Sequence, residues 1–511
     1  MSAEASAPPA MGKTALILAC LVLAGTNFMV VLDTTIANVS VAHIAGGLGI
    51  SSSEGTWVIT SYAVAEAICV PLTGWLTKRF GTVRVFALGM AGFGIFSLLC
   101  GLSWSLGSLI LFRIGQGLCG GPLMPISQTL LLSIFPREKH AQATGIWAMT
   151  TIVAPILGPI LGGTISDNWG WHWIFFINIP IAAVCAAGAM LLLREAETKI
   201  EKTRIDTVGL ILLVVWVGAL QIMLDVGREH DWFGSSLIVT LAVIAVSGFS
   251  FFTAWELLHG RPIVDLRVFR YRGFTVSVTA LVFAYAIFFA SLVVIPQWLQ
   301  GSLGYTATWA GYAIAFNGVA AVMLAPVVAK LSTKVDERLL VSFGILWLGA
   351  TSLIRVFWWT SGADFWTLAL PQLIQGAGMP FFFVPLTTLA LGAVREDEVA
   401  SAAGVMNFLR TMSGAIGTAI VTTMWYDGAQ SKRAELSGLL NGVPATMQSL
   451  QAHGFTAEQS RQFVSNIVDG QATALATGSV FVTAAITFAA AASIVWLAPR
   501  PKHAVAAGHA H

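Results

Sequence analysis

Residues 145–163 read GIWAMTTIVAPILGPILGG, and residues 404–422 read GVMNFLRTMSGAIGTAIVT. The two stretches align at an offset of 259, with glycine on glycine at 145/404 and 158/417. Each is apolar and free of acidic residues over about the 20 residues that a helix needs to cross a hydrocarbon core. The same offset sets Arg113-Ile-Gly-Gln-Gly117 over Gln372-Leu-Ile-Gln-Gly376 and brings Pro125 near Pro385. Trp57 and Trp309, each opening an apolar run, match at 252. A chain that repeats itself in helix-length apolar segments is a duplicated membrane bundle.

Fourteen such runs follow one another, at 14–36, 56–76, 83–104, 108–132, 141–163, 173–193, 207–226, 235–257, 274–298, 308–330, 339–360, 365–391, 403–426 and 475–498. Strands of a membrane barrel would be about half as long and strictly alternating. The first run is too long for the apolar region of a signal peptide and has no small-residue cleavage site after it. Of the 511 residues, 56% are hydrophobic and 10% charged, against about 25% charged in a soluble domain. The 27 basic and 25 acidic residues nearly cancel, which excludes disorder and nucleic-acid binding. The five cysteines all fall inside runs, where small apolar packing is their ordinary use.

The repeat divides the chain into two six-helix bundles, 14–193 and 274–498, with a linker and an inserted helix pair between them at 194–273. Short tails, 1–13 and 499–511, complete it. Twenty of the 27 Lys and Arg residues fall on one side of the membrane if both tails are cytoplasmic, which sets the orientation. One long external segment, 427–474, holds two amphipathic stretches, 431–440 and 456–467; Thr456-Ala-Glu-Gln459 has the form of a capping box. It is either a folded cap or a docking surface.

Parallel repeats of this kind are typical of secondary transporters, with the substrate site between the halves. Gly12-Lys13-Thr14 resembles the end of a phosphate-binding loop, but Ala7 stands where the leading glycine belongs. With no nucleotide site and no other cofactor in view, an ion gradient has to supply the energy. None of the nine histidines lies mid-run, and no catalytic constellation is present; His503, His509 and His511 form a loose tail with no more than adventitious metal affinity. No metal site and no enzymatic activity are expected.

Ionisable residues within spans are costly and mark function. Asp33 and Arg113 fall in the outer third of spans 1 and 4 at matching depth, where they can pair. Burial disfavours a carboxylate and a neighbouring guanidinium favours it, so parting such a pair changes its affinity for a proton. Glu66, one turn after Tyr62, is a second protonation site, a counter-charge for cationic substrates, or a neutral hydrogen-bonded acid. Arg410 is mid-span where the repeat has Thr151, facing an internal acid or an anionic ligand. Aromatics able to line an adaptable pocket are Phe28, Trp57, Tyr62, Phe283, Tyr285, Phe289, Tyr312 and Phe316. The loop Gly74–Arg84, with Gly74, Lys78, Arg79, Gly81 and Arg84, has the makings of a cytoplasmic gate pairing with an acid on a neighbouring bundle. Pro155, Gly158, Pro159, Gly162 and Gly163 make span 5 a bent, close-packing helix suited to a rocking interface.

Five passages together resemble the fourteen-span drug:proton antiporters of the major facilitator superfamily, most nearly the EmrB-type multidrug exporters. They are Leu32-Asp-Thr-Thr-Ile-Ala-Asn-Val39, the Gly74–Arg84 loop, Arg113–Gly117, the span 5 motif, and Trp173-Ile-Phe-Phe-Ile-Asn-Ile-Pro180. The resemblance covers roughly 14–498. It implies the major facilitator fold, with export of hydrophobic drugs and uncouplers in exchange for protons across the bacterial inner membrane. It also implies assembly with a periplasmic membrane-fusion adaptor of EmrA type and an outer-membrane channel of TolC type. Asp33 and Arg113 match the family's proton-coupling positions, the span 5 residues its antiporter motif, and 427–474 becomes an adaptor contact. Glu66 departs from the neutral polar residue expected there. Export of fatty acids or another narrow lipid-like substrate, and proton-coupled import on the same scaffold, stay open as alternatives.

Overall fold

The computed structural model describes residues 11–136, 139–201, 205–260, 262–395, 398–440 and 442–500. The rest of both expected tails, including Lys502 and the three terminal histidines, lies outside them, as do Arg137, Lys202, Arg204 and Arg261. Among the described residues every regular element is helical.

The first bundle begins with α1 (Lys13–Leu48) and α2 (Ser52–Cys69), the latter started by a capping box between Ser51 and Glu54. Val70-Pro71-Leu72 tightens the chain to a 3-10 turn before α3 (Thr73–Phe80). Then come α4 (Thr82–Gly101), α5 (Leu106–Gly120), α6 (Leu123–Ile134), α7 (His140–Trp169), α8 (Trp173–Phe176) and α9 (Asn178–Leu192). The inserted pair is α10 (Thr207–Val226) and α11 (Ser236–Leu258). The second bundle comprises α12 (Arg272–Leu303), α13 (Ala307–Leu331), α14 (Glu337–Trp358), α15 (Phe365–Gly392), α16 (Val399–Leu439), α17 (Val443–Ala452) and α18 (Ala457–Val495).

Twelve of these spans, counting α2–α3 and α5–α6 as one each, are long and apolar enough to cross a membrane. The two arms of α7, bent by 42° about the Pro155 region, make a thirteenth. The expected span 403–426 lies in α16, which is not among them; Asn407, Arg410 and many Ser, Thr and Gly residues lower its hydropathy. Length and composition thus support twelve or thirteen spans where the apolar runs suggest fourteen.

A second difference concerns the external segment. Pro444 and Gly454, which in sequence would divide the segment into short helices, do mark its breaks, but 431–440 and 456–467 are not short helices of their own. They continue α16 and α18 beyond the apolar runs, because no proline interrupts either one, and only α17 stands alone between them. The capping box is present, with Thr456 N–H donating to Gln459 and Gln459 N–H to Thr456 Oγ1. Arg433 joins the two extensions through Asp469 at 2.7 Å.

Within the first group α1 packs on α6, α7 and α9, α2 on α5, and α4 on α5 and α9. Within the second, α12 packs on α16 and α18, α13 on α15, and α14 on α15 and α18. The groups meet along α7 against α13 and α15, and where α16 crosses α3 and α6. Two glycines related by the repeat, Gly117 and Gly376, sit at close backbone crossings. A Cβ on Gly117 would sit 2.6 Å from the Tyr62 carbonyl, and one on Gly376 would sit 2.0 Å from the Asn317 carbonyl. Helix α10 lies against both α2 and α16, so the inserted pair borders both bundles.

Candidate functional site

Asp33 and Arg113 form an ion pair, Nη1 to Oδ2 at 2.6 Å, with both side chains 1% exposed. Five helices supply the surrounding network. The guanidinium also donates to Gln116 Oε1 at 2.8 Å and, through Nε, to the Val58 carbonyl at 3.1 Å. It lies 4.1 Å from the centre of the Tyr62 ring and 5.7 Å from that of Phe175. Asp33 Oδ1 accepts from Asn178 at 2.6 Å and from Gln116 at 3.1 Å. Both amides in turn donate to Ser97 Oγ, whose hydroxyl donates to the Phe175 carbonyl. Every acceptor on the buried carboxylate is therefore engaged by a donor, the arrangement that makes an ionised group tolerable in an apolar bundle.

Glu66 is buried on α2, with Arg113, Asp33 and Arg410 as its charged neighbours and no hydrogen bond to its carboxylate among the described residues. Arg410 projects from α16 into the first bundle. Its Nη2 donates to Met124 Sδ, and its guanidinium lies 5.2 Å from the Trp147 ring and 5.6 Å from Tyr285. No carboxylate lies within ion-pair distance of it among the described residues. Three residues earlier on α16, Asn407 Nδ2 donates to Gln128 Oε1 at 3.0 Å, a second polar contact between the bundles.

A small closed cleft sits where α7, α12, α13 and α15 converge, lined by Thr151, Pro155, Tyr285, Phe288, Phe289, Leu292, Asn317, Met379 and Phe383. Of the expected aromatics it holds Tyr285 and Phe289, which stack at 5.7 Å as an i, i+4 pair. The others go elsewhere. Phe283, two residues from Tyr285 and hence on the far side of α12, is 47% exposed. Trp57 and Tyr312 are also exposed. Tyr312 packs on Trp309, and Phe316 on Phe365 and Trp366, in an aromatic cluster between α13 and α15. Phe28 is half-buried beside the Leu32–Ile36 core, and Tyr62 serves Arg113.

The Gly74–Arg84 loop finds its acid in the linker rather than on a neighbouring bundle. Glu197 accepts the N–H groups of Val83 and Arg84 at 3.0 and 3.2 Å, capping α4, and lies 3.8 Å from Arg84 Nε. Gly81, at φ +92°, takes the turn, and a Cβ there would strike the Glu197 carboxylate. Lys78 is exposed and Arg79 partly so, and neither makes an ion pair among the described residues. Gly74 itself rests on Ser401 of α16, across the bundle boundary. In α7, Gly158 and Gly162 admit Thr35 and Ile36 of α1, while Gly145 and Ile160 meet Ala329 and Gly311 of α13; Pro155 borders the cleft. Pro159 is partly buried and Gly163 buried.

Residues 23–418 match the Major Facilitator Superfamily. The chain belongs to that superfamily. It is 44% identical over 490 residues to the multidrug export protein EmrB of Escherichia coli K12, covering 95% of this chain and 96% of that one. It is 42% identical over 506 residues to the fatty acid resistance protein FarB of Neisseria gonorrhoeae, covering 98% and 99%. The human organic anion transporter MFSD10 shares the fold at a TM-score of 0.58 and 14% identity, over 96% of this chain and all of that one. The chain is thus a multi-pass transporter of EmrB type and not an enzyme.

Several members of this facilitator's buried network carry no individual signal in its sequence. Gln116 and Asn178 lie inside the quoted motifs 113–117 and 173–180, where their place beside Asp33 is not visible. Ser97 is one serine in an apolar run. Arg355, in the run 339–360, is wholly buried. Its place among apolar runs that hold no acidic residue is the available sign.

Proposed function

We propose that the chain is a proton-driven multidrug efflux antiporter of the bacterial inner membrane, with both termini cytoplasmic. The observation that carries this reading is the buried Asp33–Arg113 pair with its ring of exchangeable partners. Arg113 already donates to Gln116 and the Val58 carbonyl, so a small helix shift hands the guanidinium to neutral acceptors. Asp33 is then left in a low dielectric without its counter-charge, and binding a proton becomes favourable. Re-forming the pair expels that proton. Glu66, buried between Arg113 and Arg410, is the second carboxylate on this path or the counter-charge for a cationic drug.

The moving parts are the bundles 14–193 and 274–498, rocking along the α7–α13 seam. The contact of Gly74 with Ser401 closes the cytoplasmic end, and Glu197 fixes the loop that carries it. Hydrophobic compounds bind at the Tyr285–Phe289 cleft once it opens, beside Arg410. The extended α16–α18 hairpin is the surface for a periplasmic adaptor of EmrA type, which connects to an outer-membrane channel of TolC type. A second reading, export of fatty acids, is favoured by the likeness to FarB and by Arg410, a guanidinium without an acid partner among the described residues.

Purified protein in liposomes with an internal pH dye tests this. Hydrophobic cations, uncouplers or fatty acids should each be scored for substrate-dependent proton release down an imposed pH gradient. Absence of any such response in tight, correctly inserted vesicles, with and without adaptor, would refute proton antiport. Deleting 441–455 should impair resistance in cells and spare transport in vesicles; loss in both would make the hairpin structural.

A further inference from the structure

Arg355 lies one turn from the end of α14, at the depth in the second bundle that Arg113 occupies in the first. Its side chain is fully buried. Nη2 donates to Gln372 Oε1 at 2.7 Å and to Gln375 Oε1. Among the described residues Nε and Nη1 meet no acceptor, and no carboxylate comes within ion-pair distance. The indole N–H of Trp298 is likewise buried without an acceptor. The Trp298 ring stacks on Trp359 at 5.4 Å, and the Arg355 guanidinium lies 5.1 Å from that same Trp359 ring. Arg355 and Trp298, which carry three unpartnered donor nitrogens among the described residues, thus both lie against the Trp359 ring.

The repeat shows what is missing. Gln375 is the counterpart of Gln116, and each accepts from its bundle's arginine. Gln116 passes on to Asp33, whereas Gln375 is met by the amide of Asn317. Helix α12, the counterpart of α1, has no acidic residue from Arg272 to Leu303, and neither α13 nor α15 has one. A guanidinium does not shed its proton in a protein, so burial cannot be relieved by neutralisation. Water would satisfy the free N–H groups but leave the charge uncompensated.

We propose that a small monovalent inorganic anion, chloride under cellular conditions, binds at Arg355 and Trp298 and supplies the counter-charge that Asp33 supplies in the first bundle. The site holds whatever compound the protein transports. It makes the second bundle anion-stabilised where the first is self-neutralised.

The test uses the purified full-length chain in sodium gluconate, titrated with radiolabelled chloride at constant ionic strength. Wild type should bind one chloride per chain, displaceable by bromide, and its thermal midpoint should rise by about 3 °C at saturation. Gln375→Glu places a carboxylate beside Arg355 and should abolish both effects without lowering the midpoint in gluconate. Trp298→Phe removes one donor and should weaken chloride binding about tenfold. No saturable binding to folded wild type would overturn the proposal. So would wild-type affinity in Trp298→Phe, which would put the anion elsewhere.

Discussion

Asp33→Asn keeps the shape of the side chain and removes its charge. In the native network Oδ2 accepts from Arg113 at 2.6 Å, while Oδ1 accepts from Asn178 and Gln116 at 2.6 and 3.1 Å. An amide has a single accepting oxygen, so on one side an N–H must face another N–H. Solvent offers no screening, because both members of the pair are 1% exposed. Leaving one partner of a buried pair uncompensated costs about 3–5 kcal/mol. At about 1.4 kcal/mol per factor of ten, this is roughly two to three and a half orders of magnitude in any equilibrium that needs the intact network. The variant, purified into liposomes, should have a lowered thermal midpoint and no uphill substrate movement on a pH gradient, with downhill equilibration retained. Arg113→Gln should behave likewise. The double variant should be less destabilised than the two singles together, by more than about 1 kcal/mol. Asp33→Asn vesicles that accumulate substrate at the wild-type rate would refute the coupling argument, and strict additivity would refute the pair.

Gly117→Ala and Gly376→Ala each drive a methyl into a backbone carbonyl of the neighbouring helix and should cost about 1–3 kcal/mol. Size-exclusion profiles and thermal midpoints equal to wild type would contradict those crossings. Glu197→Ala removes the acceptor for two N–H groups at the start of α4 and should cost about 0.5–2 kcal/mol, read as faster amide exchange at Val83 and Arg84. Unchanged exchange would mean that the linker does not hold the loop. Asp336, outside the spans, has its carboxyl held below the usual carboxylate range, first by its hydrogen bond with Arg338. A lowered folded value gives stability that is present at neutral pH and lost as the pH falls through that value. Asp336→Asn should therefore lower the midpoint near neutrality and matter less in acid. With Asp336 partly exposed the effect stays below about 1 kcal/mol, and an effect that grows in acid would reverse the sign.

Much of the fold is legible in the chain because hydropathy and span length are one-dimensional properties. The apolar runs locate the helices, and the 145/404 alignment pairs the two bundles. Where the reading erred, the cause was again local. Apolar content ends before the helix does in α16 and α18, since their polar extensions leave the bilayer without a proline to stop them. Depth along a span is also legible, at a fixed rise per residue, and it brought Asp33 and Arg113 to one level. Azimuth is not. Each residue turns the helix by about 100°, and which face points inward is set by the neighbours packed against it. Thus Tyr285 and Phe289 reach the cleft while Phe283 faces outward.

Composition and hydropathy alone therefore establish a helical membrane protein, because burying twenty apolar residues at a time leaves a chain few other solutions. Partner choice needed three dimensions. Asp33 meets Arg113, Gln116 and Asn178; Glu197 reaches back to α4; and Arg355 has two glutamines and, among the described residues, no acid. These outcomes depend on helix rotation and crossing distance, which are properties of all the packed helices together and are written in no single segment of the chain.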